Sequence, residues 1–180
     1  MPYSFKYDWF TVNIPFFERN LARFSGIRVQ ALEIGTCEGR SAIWLLQNIL
    51  THPGSRLTCI DICRQPVLDD NLLESGAASR VDVRIGTSRE IVPSLPGNTF
   101  DFAYIDGSHS SCDVLEDAVL TFRKIKVGGV IAFDDYLWDN PMHNQHGTPK
   151  TAVDAFIDCN KHKVDVIDRG YQLWVRKISD

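Results

Sequence analysis

The sequence predicts an α/β domain: a seven-stranded, mostly parallel sheet with a C-terminal antiparallel hairpin and helices on both faces. Two observations predict it. Short apolar runs alternate with longer amphipathic stretches, the sign of strand–helix–strand units around a parallel sheet. The apolar runs also end in or just before Gly, Asp or Thr, where strands of such a sheet hand over to loops. The 180 residues, 44% hydrophobic and 23% charged, suit one packed core, so residues 1–180 are read as a single domain.

In chain order, residues 1–28 form an N-terminal cap region in which 9–24 packs as an extra helix over one end of the sheet. Strands are expected over 29–34, 56–61, 81–85, 100–106 and 130–134, with helices between them. The clearest helix covers 111–125, where Leu115, Ala118, Val119, Phe122 and Ile125 recur at helical spacing. Lys124 and Lys126 suit the negative end of its dipole, and Gly128-Gly129 is expected to stop it. A polar stretch over 139–150, carrying Pro141, Gly147 and Pro149, reads as a lid loop. A helix near 151–160 follows, then strands over 163–167 and 171–176 joined by an Asp168-Arg169-Gly170 turn.

Composition excludes several classes. The net charge is −4 and the basic residues are scattered, so no phosphate-tracking stripe is present and a nucleic-acid partner is not expected. No apolar run approaches the roughly 18 to 20 residues of a bilayer span, and residues 1–10 lack a signal-peptide layout, which points to the cytoplasm and away from membranes. The five cysteines, Cys37, Cys59, Cys63, Cys112 and Cys159, form no pair of CxxC units, so neither zinc nor a disulfide framework is expected.

The chemistry begins where the first strand ends. Glu33-Ile34 runs into Gly35-Thr36-Cys37-Glu38-Gly39-Arg40-Ser41 and a helix, placing two glycines where a chain turns tightly beside a ligand. Such turns also occur without a ligand. The second strand ends at Asp61, followed by Ile62, positioned as an acid that accepts hydrogen bonds from two ribose hydroxyls. Loop and acid together imply an adenosine ligand. A dinucleotide loop wants a third glycine where Cys37 stands, and Glu38 would repel a phosphate, whereas acidic Glu33 suits a ligand carrying an ammonium and a sulfonium: S-adenosylmethionine (SAM). The third strand adds Gly86-Thr87-Ser88, hydroxyls that either bond an adenine edge or cap the next helix.

The fourth strand ends Asp106-Gly107-Ser108-His109 and the fifth Asp134-Asp135. In an open α/β sheet the ligand crevice lies beyond the carboxyl ends of the strands, so Asp106, Asp134 and Asp135 are expected to converge beside the cofactor. A hard divalent cation, Mg²⁺, accounts for three carboxylates together and would activate an acceptor hydroxyl. His109 is the nearest base and, with Asp106, the expected catalytic pair. The bland reading is that Asp134 caps a turn, Asp135 is solvated and His109 stacks on the cofactor.

Together these segments resemble the class I SAM-dependent methyltransferases, with their Rossmann-like sheet, and within them the metal-dependent O-methyltransferases of the catechol and caffeoyl-CoA type. The resemblance covers about residues 31–138. It implies cofactor contacts at Glu33, Gly35, Thr36, Gly39, Ser41, Asp61, Ile62, Gly86, Thr87, Ser88 and Asp106, and a metal held by Asp106, Asp134 and Asp135. The wording Asp-Gly-Ser-His, then Gly-Gly-Val-Ile-Ala-Phe-Asp-Asp-Tyr, is similar to a bacterial branch that includes macrolide sugar O-methyltransferases. Catechol-type enzymes carry a lysine where this chain has His109, and Asn where it has Asp135. The N-terminal segment is short, leaving Trp9, Phe10 and the lid loop as the substrate cover, while His143 and His146 in that loop are either assistants to catalysis or simply solvated.

The expected activity is transfer of a methyl group to a hydroxyl of a small molecule, with a homodimer open. Two rivals share the residues. A metal-independent enzyme of the same fold would methylate an amine or carboxylate and stay active in a chelator. A SAM-binding scaffold, or an enzyme using the sulfonium for electrostatics, would bind without turnover.

Overall fold

The computed structural model describes residues 3–140 and 146–180. Its strands are β1 (Gln30–Ile34), β2 (Arg56–Asp61), β3 (Val81–Ile85), β4 (Phe100–Ile105), β5 (Ile125–Phe133), β6 (Val164–Arg169) and β7 (Leu173–Lys177). They form one sheet in the order β3-β2-β1-β4-β5-β7-β6. The first five are parallel, and β7 runs antiparallel between β5 and β6, as the sequence predicts. The helices are α1 (Ile14–Leu21), α2 (Arg40–Asn48), α3 (Leu68–Glu74), α4 (Ser88–Ser94), α5 (Ser111–Phe122) and α6 (Pro149–Asn160).

The strands read as continuous apolar runs because both faces are covered. Neighbours along a strand point to opposite sides. Ala31 and Tyr104 join one core with Phe17, Leu46 and Trp174, while Leu32 and Ile105 join another with Ala118, Phe133 and Phe156. The N-terminal segment is a short helix between two 3-10 turns, Thr11–Asn13 and Ala22–Phe24. It docks through Phe17, whose ring centroid lies 4.9 Å from those of Phe10, Tyr104 and Trp174. Phe10 is therefore core, 5% exposed, and not the substrate cover expected of it.

The bounds depart furthest from expectation in the N-terminal helix, which covers only Ile14–Leu21 of the 9–24 expected, around the start of β5 and at the hairpin. The helix over 111–125 ends at Phe122, and Gly128-Gly129 lie inside β5. Ile125 fits the helical spacing, but its side chain is fully buried and its residue pairs with Phe100 in the sheet. Gly129 is needed there because a Cβ would stand 2.7 Å from Ile125 Cγ2 and 3.0 Å from Asp101 O, at the register shift between Phe100 and Phe102. The hairpin turn, over residues 170–172, falls two residues later than the Asp168-Arg169-Gly170 expected. β6 continues to Arg169, and the turn closes with Gly170 N donating to Gln172 O at 2.8 Å. The cause is an irregularity between Val166 and Asp168 that shifts the register, with the Asp168 carboxylate held by Arg19 and Asn20.

Strand order reverses between β1 and β4, so their loops diverge and open a crevice at the carboxyl edge of the sheet. The N-terminal strap lies beside it: Asn71 on α3 accepts from Ser4 N at 2.8 Å and donates to Ser4 O and Glu38 O.

Candidate functional site

A cavity of about 1240 Å³ occupies this crevice, walled by the ends of β1 to β5 and by Trp9, Val12 and Asn13 from the strap. Gly35 forms its floor. Its φ is +92°, and a Cβ would stand 2.0 Å from the carbonyl oxygen of Asp106, so β1 and β4 approach as closely as they do only with glycine there.

Glu33, Thr36, Gly39 and Ser41 lie behind this floor rather than on the cavity wall. Glu33 is fully buried; its carboxylate accepts from the Thr36 and Ser41 hydroxyls and weakly from Cys59 Sγ at 3.5 Å. Burial pushes its pKa up, against those hydrogen bonds. The acid is thus placed to hold the loop's shape. Glu33→Ala leaves two buried hydroxyls without an acceptor and should lower stability by about 1 to 3 kcal/mol in denaturant unfolding; an unchanged midpoint would refute that role.

Asp61 and Ile62 do line the cavity, Ile62 with 75% of its surface exposed. The two Asp61 oxygens accept from Cys37 N at 2.8 Å and Cys63 N at 3.1 Å, fixing the carboxylate while leaving lone pairs toward the crevice. Gly86, Thr87 and Ser88 line it from the end of β3. Thr87, not Ser88, caps α4: its hydroxyl accepts from Glu90 N at 3.3 Å and donates to Glu90 Oε2 at 2.8 Å.

At the other end stand Asp106, Asp134, Asp135 and His109, all on the cavity wall. Burial, followed by the charges of Asp134 and Asp135, holds Asp106 well above the usual carboxylate range. Asp134 also titrates high, chiefly through burial, and accepts from Tyr104 OH, Gln172 Nε2 at 3.0 Å, Asn13 Nδ2 at 3.2 Å and Asp135 N at 2.9 Å. Asp135, with φ +55°, accepts from Tyr171 OH at 2.7 Å and pairs with His109 Nε2 at 2.9 Å. That hydrogen bond raises the His109 pKa over its partial burial. The imidazole packs against Trp138, ring centroids 4.4 Å apart.

Over residues 32–136 the chain matches the family described as a methyltransferase domain. The chain belongs to this methyltransferase family. A catechol O-methyltransferase of Mycobacterium tuberculosis is 32% identical over 113 residues, 60% of this chain and 48% of that protein. The chain spans about half the length of the curated relatives it matches. Among solved structures, the O-methyltransferase TomG of Streptomyces achromogenes, in complex with SAM, aligns with a TM-score of 0.67 at 23% identity, over 83% of this chain and 73% of that one. The MycE methyltransferase of the mycinamycin pathway, in complex with Mg and SAH, aligns with a TM-score of 0.71 at 18% identity, over 96% and 50%. At these identities the likeness is one of fold.

In this methyltransferase domain the donor set fits a hard cation chemically: carboxylate oxygens whose charges act on one another around one cavity. Among the described residues, however, no three His, Cys, Asp or Glu side chains are grouped as a metal site, and both Asp135 oxygens already have partners. Sequence reading missed the four groups that shape this end. Tyr104 carried a signal, two residues before Asp106 on one strand face. Asn13, Tyr171 and Gln172 carried none, because they arrive from the strap and the hairpin turn. Of the lid, residues 141–145, with His143, lie outside the described residues. At its end the His146 carbonyl accepts from Ser111 Oγ at 2.9 Å, tying it to the start of α5.

Proposed function

We propose that this methyltransferase moves the methyl group of SAM to a hydroxyl of a small molecule, assisted by Mg²⁺. One observation carries the reading: a single cavity has the Asp61 carboxylate at the end of β2 and a histidine–carboxylate cluster at the ends of β4 and β5. That spacing suits an adenosine at one end and a reacting oxygen at the other. The SAM and Mg-SAH complexes of the two structural neighbours support the same pairing of groups.

In this reading Gly35 lets the cofactor lie against backbone, Asp61 accepts from the ribose hydroxyls, and Ile62 packs on the base beside Gly86, Thr87 and Ser88. Glu33, Thr36, Gly39 and Ser41 keep the loop in shape. Asp106, Asp134 and Asp135 would hold Mg²⁺, which when bound lowers the pKa of the acceptor hydroxyl and orients its oxygen. With Nε2–H donated to Asp135, His109 presents Nδ1 as the atom that takes the acceptor's proton. Trp9, Val12 and Trp138 wall the mouth with apolar surface that favours a small organic acceptor and sheds water.

Isothermal titration tests the cofactor first. Wild-type protein should bind SAM and S-adenosylhomocysteine, and Asp61→Ala should weaken both by about ten- to a hundredfold, the worth of hydrogen bonds to a charged acceptor. No heat with either ligand would end the reading. The metal is tested by release of S-adenosylhomocysteine from a panel of hydroxylated acceptors. Turnover should require Mg²⁺ and fall in a chelator, whereas full turnover in the chelator would favour a metal-free enzyme.

A further inference from the structure

The cavity wall contains a carboxylate that this mechanism does not use. Asp117 stands in the second turn of α5 and faces inward, 3% exposed, yet it borders the cavity. It lies beneath the loop that leaves β4, where a Cβ on Gly107 would stand 3.8 Å from its Oδ2, so no side chain separates it from the crevice there. The Ser88 hydroxyl beside it acts to lower its pKa against burial, and the charges acting on it are those of Asp113 and Glu116. The nearby cation, Arg89, is spent on Glu116 at 2.7 Å. Burial pushes the Asp117 pKa up to about 6.

A buried carboxylate whose neighbours are a hydroxyl and two further acids calls for a neutral hydrogen-bond donor. Sheet order says what part of the ligand it meets. Ser88 follows β3 at the sheet edge and Asp61 follows β2, whereas Asp134 follows β5 on the far side of β1 and β4. A ligand with its ribose on Asp61 and its methyl group near Asp134 therefore carries its base toward Ser88 and Asp117. Around that end of the wall the Thr87 hydroxyl is committed to Glu90, Arg89 to Glu116 and Ser108 to Asp113, so the Ser88 hydroxyl and the Asp117 carboxylate are available to a base edge.

We propose that Asp117, which shares this end of the cavity wall with Ser88, accepts a hydrogen bond from the 6-amino group of the cofactor's adenine and so determines which nucleobase this site takes. The proposal rests on the SAM reading above. A 6-amino purine offers the carboxylate a donor. A 6-oxo purine turns an acceptor toward it at that position and moves its donor to N1, and a 6-hydrogen purine offers nothing there, so affinity should be highest for the 6-amino purine.

The test is isothermal titration at pH 8 with S-adenosylhomocysteine, its 6-hydrogen analogue and S-inosylhomocysteine, on wild type and on Asp117→Asn. Wild type should bind S-adenosylhomocysteine at least about tenfold more tightly than S-inosylhomocysteine, the worth of one well-placed hydrogen bond. The Asn variant, whose amide offers both a donor and an acceptor, should bring the two to within about threefold, with its thermal midpoint recorded as a check on folding. Tight binding of all three ligands by wild type overturns the proposal without recourse to any variant, and so does discrimination that survives in Asp117→Asn. Absence of S-adenosylhomocysteine binding overturns the cofactor reading itself and the proposal with it.

Discussion

Replacing His109 by alanine should lower kcat by about a hundred- to ten-thousandfold, the usual worth of a positioned general base. Binding of S-adenosylhomocysteine should be unchanged, because His109 lies at the β4–β5 end of the cavity and Asp61 at the β2 end. The pH dependence carries the sign. The hydrogen bond to Asp135 favours the protonated imidazole, so His109 titrates above its ordinary 6.5. The base works only when neutral, and the rate should therefore rise with pH as the imidazole loses its proton. In metal-free protein, NMR titration of the His109 ring should give that raised value, and Asp135→Asn should move it down. A ring that titrates below 6.5, or a variant with wild-type kcat, would remove His109 from the reaction.

Gly35→Ala should be the most damaging single methyl group in the chain. The added Cβ meets the Asp106 carbonyl oxygen at 2.0 Å, its carbon at 2.5 Å and Gly107 Cα at 2.9 Å, all of them backbone atoms. No side-chain rotation relieves that clash, and the residue must also hold φ +92°. Positive φ and overpacking together cost about 2 to 5 kcal/mol, against total stabilities of about 5 to 15 kcal/mol. Denaturant unfolding should show a midpoint shift of that size, and the surviving folded protein should have lost SAM binding, since β1 and β4 must separate. A variant with wild-type stability and affinity would mean that the floor of the crevice is not where these backbones meet.

What the sequence determined by itself is the layout of the first five strands and the residues at their carboxyl ends. β1 to β3 fall within one residue of their predicted bounds, because a strand buried on both faces leaves a compact apolar run that ends abruptly at a polar turn. The ends of those runs then place Gly35, Asp61, Thr87, Asp106, His109, Asp134 and Asp135 on one crevice, since parallel strands share an edge.

Tertiary structure alone decided what each of these residues does once there. Glu33 reads as a ligand-facing acid, but strand alternation and the packing of α2 turn it inward onto Thr36 and Ser41. The length of α5 was settled by Ile125, whose apolar side chain satisfies helical spacing and sheet burial equally until Phe100 claims it for the sheet. Asp134 gathers donors from Asn13, Tyr104 and Gln172, residues 121, 30 and 38 positions away, so no local pattern shows them. Asp117 looks like any polar residue on an amphipathic helix, and only the glycine above it and the hydroxyl of Ser88 beside it mark it as part of the site. Local periodicity is written in neighbouring residues. Partners that meet across the fold are chosen by packing, and packing exists only once the chain has closed.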